Sequence, residues 1–60
     1  MDTVTITVDI VRETAAAILV SDGDLEAWLP KSQIGYSGDA GDESVDIELP
    51  EWMALKNGLI

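Results

Sequence analysis

Twelve carboxylates set the chemistry open to this 60-residue chain, because it has no histidine and no cysteine. The commonest general bases and nucleophiles are therefore missing. Serines and threonines have only carboxylates and three basic side chains to activate them. A pair of carboxylates can hydrolyse glycosides, but a chain this short cannot enclose a sugar cleft. The reading is of a protein that is not an enzyme and carries no cofactor. Metal is hardly better served. The segment "DGDLEAWLPKSQ" from Asp22 has acids at loop positions one, three and five of a calcium loop. It has Ala27 and Gln33 where an EF-hand loop needs glycine and glutamate, so no metal site is assigned. What remains is charge itself. Asp22, Asp24 and Glu26 form one acidic group, and Asp39, Asp42, Glu43, Asp46, Glu48 and Glu51 form another, in "DAGDESVDIELPE".

The formal net charge is −9. A charge of that sign repels phosphates and anionic lipids, so direct nucleic-acid binding and membrane binding are not expected. It steers the chain toward a basic surface. The bland alternative is a solvated face that keeps a small apolar protein in solution. Against it stands the imbalance, since surfaces made only for solubility mix both signs. On a strand, Asp46 and Glu48 point the same way about 6.7 Å apart, a spacing that can imitate a row of phosphates.

The elements that must position these groups follow from periodicity. "TVTITVDIV" alternates strictly, with Val4, Ile6, Val8 and Ile10 on one face and Thr3, Thr5, Thr7 and Asp9 on the other, which predicts a half-buried strand. Arg12-Glu13 is read as the turn after it. Thr14–Ser21 is read as a second strand, buried on both faces near its end. Asp22-Gly23 is a strong hairpin signal, and Leu25–Leu29 is the third strand, stopped by Pro30. Lys31-Ser32-Gln33 forms a tight turn that returns Ile34 to the core. Gly35–Glu43 is the longest loop, and Ser44–Leu49 the fourth strand. Pro50 opens a short helix that Gly58 ends, with Trp52 and Leu55 facing the sheet.

The expected fold is thus mainly β (α+β): one small domain, residues 1–60, with four antiparallel strands in an SH3-like or partly open barrel and a C-terminal helix. At 47% apolar residues the chain is too hydrophobic to be a disordered acidic tail. Its small size and lack of disulfides make a monomer or weak homodimer equally open. With no basic leader and no apolar run of membrane length, it is read as cytoplasmic.

Trp28 shares its face with Glu26, so it is either an interface anchor or is covered by the C-terminal helix or the interior of a barrel. Lys31, Ser32 and Gln33 either satisfy their own turn or meet a partner, and Tyr36 serves packing or binding. "WLPKSQI" and "LPEWMALKNGLI" together resemble a group of short phage and prophage proteins. These carry a Trp-(Ile/Leu)-Pro-Lys-Ser-Gln-Ile segment and a Leu/Ile-Pro-x-Trp helix closing on Lys, Gly, Leu and Ile. The resemblance covers the second half of the chain and, more loosely, the preceding hairpin, and brings no settled role. By size and charge the chain is also similar to phage anti-CRISPR and anti-defence proteins, several of which are acidic DNA mimics. The resemblance implies a non-enzymatic inhibitor in the cytoplasm of an infected or lysogenic bacterial host, using its acids on a basic, nucleic-acid-binding protein surface. The alternative is an interaction module or assembly subunit of a phage replication or recombination complex, making contact through Trp28, Tyr36 and the Lys31–Gln33 turn.

Overall fold

The alternating N-terminal segment forms a strand longer than expected, because a single irregularity lets it continue. In the computed structural model, which describes residues 2–60, β1 spans Thr3–Glu13. Its register against β2 (Ala17–Ser21) slips by one residue between Ile10 and Arg12, so Val11 is a β-bulge. Strict alternation would turn Arg12 into the core beneath Ile10. The bulge instead leaves both Val11 and Arg12 exposed, as such insertions do when they re-aim a side chain. The predicted turn at Arg12-Glu13 is therefore displaced to residues 14–16. There the Thr14 N–H donates to the Ala17 carbonyl at 2.8 Å and the Ala17 N–H to Thr14 Oγ1 at 3.1 Å.

Strand β3 (Glu26–Pro30) pairs with β2 across a hairpin centred on Gly23 and Asp24 rather than on Asp22-Gly23. The Asp22 N–H donates to the Leu25 carbonyl at 3.1 Å and closes it. Strand β2 is shorter than the Thr14–Ser21 reading and is not buried on both faces: Ile18 and Val20 are inside, Leu19 half-buried. A single 3₁₀ turn at Lys31–Gln33 sends Ile34 back onto the core. A fifth strand follows, β4 (Gly35–Tyr36), within the expected loop, and it pairs with β5 (Val45–Pro50). The order is β3-β2-β1-β5-β4, all antiparallel. The four-strand reading is thus corrected to five. The sheet is open, with β3 and β4 as its edges, where a small SH3-like or partly open barrel was expected.

One face of the sheet carries the core. Ile6, Val8, Ile10, Ile18, Val20, Ala27, Leu29, Val45, Ile47 and Leu49 are buried on it. Helix α1 (Glu51–Lys56) covers that face with Met53 and Ala54. This corrects the helix phase: Trp52 and Leu55, expected against the sheet, are exposed. The two ends of the helix fix its rotation. At the start, the Glu51 N–H donates to the Asp2 carbonyl at 3.0 Å. At the finish, Gly58 takes φ +71°. Its N–H bonds the Leu55 carbonyl at 3.2 Å, and the Leu59 N–H the Ala54 carbonyl at 2.9 Å. That paired closure is a Schellman motif, and Leu59 packs on the core through it.

The buried face of α1 predicts opposite outcomes for neighbouring substitutions. Met53→Ala should cost about 2–3 kcal/mol in urea unfolding, and Leu55→Ala should stay within about 0.5 kcal/mol of the parent. The reverse order would place the helix in the wrong phase.

Candidate functional site

The acids are distributed by the same alternation that builds the core. Thr5, Thr7 and Asp9 point away from it, and the ladders bring other residues beside them. Glu48 lies across from Thr5, and Asp46 across from Thr7. Ser21 lies across from Asp9, and Glu26 across from Ser21. Glu26, Asp9, Asp46 and Glu48 therefore share the outer face as one oblique row over four strands. Strand geometry puts neighbours in this row about 7–10 Å apart. That is close to the Debye length of about 8 Å at physiological ionic strength, so their fields overlap.

Asp9 is the link the sequence reading left out. It joins the hairpin acids to the acids of β5, and its place in the Thr3-Thr5-Thr7-Asp9 alternation was the available signal. It also has a local role. Its Oδ1 accepts the Ser44 N–H at 3.0 Å. Ser44 has φ 55°, the one non-glycine residue in the left-handed region among those described. That conformation costs an L-residue roughly 1–2 kcal/mol, and the bond to Asp9 offsets part of it.

The other predicted acids divide by what they do. Asp46 is in the row and accepts Thr7 Oγ1–H at 2.8 Å. Asp42 holds the loop, its Oδ2 accepting the Asp39 N–H at 2.8 Å. That loop is fastened beside β1: Ile10 N–H donates to the Asp42 carbonyl at 2.9 Å and Gly41 N–H to the Ile10 carbonyl at 2.7 Å. Gly38 sits closely there: a Cβ would come within 3.2 Å of Asp42 Oδ2, 3.3 Å of Val45 Cγ2 and 3.4 Å of Ile10 Cδ1, so those neighbours would have to give by a few tenths of an ångström. Asp39 and Glu43 are exposed on this loop. Asp22 Oδ1 accepts the N–H groups of Asp24 and Leu25 at 2.8 and 2.9 Å, while Asp24 is exposed at the hairpin tip. Glu51 lies outside the row, half-buried in the first turn of α1.

The residues of the alternative contact surface do not stay together. Lys31 Nζ is bound to Glu13 Oε2 at 2.6 Å, the one ion pair among the described residues. Tyr36 is half-buried across from Ile47 and packs on the core, and Ser32 is exposed on the turn. Trp28 is half exposed, at 50%, so the helix does not cover it. It and Gln33 instead line a groove of about 250 Å³ with Pro30, Trp52, Met53, Lys56 and Asn57. The sequence reading missed the helix half of this groove. Trp52 and Lys56 stand four apart, the spacing of one helix face. Among the described residues no cluster of acids could hold a metal ion, and no helix is long and apolar enough to cross a membrane.

The chain matches no protein-family model, no curated protein and no solved structure.

Two charged groups report on the frame around the site. The Leu25 and Asp24 N–H groups hold the Asp22 carboxyl below its ordinary value. The Glu13 carboxylate holds the Lys31 ammonium above its own. A depressed carboxyl stabilises the fold above its unfolded pKa and loses that contribution as pH falls through the folded one. The stability advantage of the parent over Asp22→Ala should therefore be full at neutral pH and shrink in acid, below the ordinary carboxylate range. Urea midpoints measured across that range check it; an advantage independent of pH would mean Asp22 does not act through its charge. For Lys31 the sign is opposite: its contribution is present below the unfolded lysine pKa and is lost as pH rises through the raised one.

Proposed function

We propose that this chain is a non-enzymatic inhibitor of the phage anti-CRISPR or anti-defence type. It lays its acidic sheet face on a basic, nucleic-acid-binding surface of a host protein and competes for it as a DNA mimic. The observation that carries the reading is the outer-face row Glu26–Asp9–Asp46–Glu48, set at fixed intervals by strand register. A row on a rigid sheet meets a basic groove without the ordering cost of a flexible acidic tail. Lysines and arginines that grip phosphate would bind its carboxylates in the same way. Its self-repulsion, with a formal charge of −9, is relieved on binding. Catalysis has no part in this reading, which sets the action in the cytoplasm of the host.

The test is competition against labelled duplex DNA on a panel of purified bacterial nucleases and CRISPR complexes. The informative variant reverses Glu26, Glu43 and Glu48 to lysine. All three are exposed, and none accepts a hydrogen bond that holds the fold. The parent should displace DNA from at least one member of the panel, with an affinity that falls steeply with salt. The triple variant should lose the displacement and keep its unfolding midpoint. Displacement that survives the reversal, or does not respond to salt, contradicts the mimic.

A further inference from the structure

The free edge of β3 has a hydrogen-bonding pattern complementary to itself. Antiparallel pairs alternate between those that exchange backbone hydrogen bonds and those that do not. Two bonds fix the phase here. Asp22 N–H donates to the Leu25 carbonyl, and Lys31 N–H donates to the Ala16 carbonyl at 2.9 Å. With the register of β2 and β3, the bonded partners are then Val20 with Ala27 and Ile18 with Leu29. Glu26, Trp28 and Pro30 consequently turn their backbone groups away from β2. Pro30, which has no N–H to donate, loses nothing on that side. Among the described residues β3 pairs only with β2. The edge therefore presents N–H groups at Glu26 and Trp28, and carbonyls at Glu26, Trp28 and Pro30.

We infer that a second copy of this chain occupies that edge, β3 against β3 in antiparallel fashion about a two-fold axis at Trp28. In that register the Trp28 N–H of each copy donates to the Trp28 carbonyl of the other. The Glu26 N–H of each donates to the Pro30 carbonyl of the other. Every N–H on the edge finds an acceptor, and the missing N–H of Pro30 faces only the Glu26 carbonyl. A two-fold interface needs a patch complementary to itself, and this strand is one. The half-exposed Trp28 side chains meet directly across the junction, where aromatic pairs add to strand pairing. Glu26 is the one acid on the paired strand, and its side chain is exposed.

The contact is small beside the roughly 1,200–2,000 Å² of a stable complex, and each copy carries −9. The dimer is therefore weak and is strengthened by salt, the reverse of the salt response expected for the mimic. Joining the edges makes one sheet with both acidic faces on the same side. The inference rests on the edge and stands or falls independently of the proposed function.

Sedimentation equilibrium on the full chain, at loading concentrations up to about 1 mM and at low and high salt, tests it with two variants. The parent should move from 6.4 kDa toward twice that mass as concentration rises, and further at high salt. Glu26→Pro removes an N–H that faces only the free edge, so it should leave the fold intact and the chain monomeric. Glu26→Gln removes only the charge and should dimerise at least as well as the parent. A parent that stays at monomer mass under every condition overturns the proposal. So does a folded Glu26→Pro chain that dimerises like Glu26→Gln.

Discussion

Strand β1 must supply hydrogen bonds on both of its edges, and the rest of the molecule depends on that constraint. Its first half pairs with β5 and its second half with β2, so the N-terminal strand lies at the centre of the sheet. A chain of this length buries only about 60% of its unfolded surface, and it has no disulfide to compensate. A central strand with a strict apolar face is how so few residues make one continuous core. The bulge at Val11 is part of the same solution. It ends the inward series at Ile10, before a charged residue would have to follow.

Burial and electrostatics are coupled through this strand. Each inward residue of β1 fixes an outward neighbour, and each ladder fixes what lies beside that neighbour. Asp9, Asp46, Glu48 and Glu26 are separated in sequence but occupy one face because Ile6, Val8 and Ile10 must occupy the other. Among the described residues no cation forms an ion pair with the row. Lys31 is held by Glu13, Lys56 lines the groove by the helix, and Arg12 faces out beside Leu19, beyond Asp9. A one-residue slip of β5 against β1 would turn Asp46 and Glu48 into the core, so the row is as firmly specified as the core.

Much of this was legible in the sequence, for identifiable reasons. β1, β3 and β5 have two-residue periodicity in residues that suit strands, and the structure keeps their inward sets except for Leu25, which falls in the hairpin turn before β3 and outside the core. The Pro50 start and Gly58 stop of the helix were equally plain. The helix phase was not, because spacing alone cannot say which side of a two-turn helix faces the sheet. That depends on the bond from Glu51 to Asp2 at one end and on the closure of Leu59 onto Ala54 at the other, which form only in the folded chain. β4 was missed because Gly35-Tyr36 is too short to show a period. The bulge was missed because Val11-Arg12 reads as a strand end. For the candidate site, the acids were visible but their assembly was not. Joining them required register between strands far apart in sequence, and with it Asp9, which looks in isolation like one more polar position.

Acids from separate strands share one outer face through strand register, and their summed field should make that face the most negative part of the surface. Paramagnetic relaxation of the protein's NMR signals by a cationic nitroxide, compared with a neutral one of the same size, measures this without knowledge of any partner. The excess effect of the cation should be greatest around Glu26, Asp9, Asp46 and Glu48, be weak around Trp52 and Leu55, and fade as salt shortens the Debye length. An excess spread evenly over the surface, or confined to the Asp39–Glu43 loop, would contradict it.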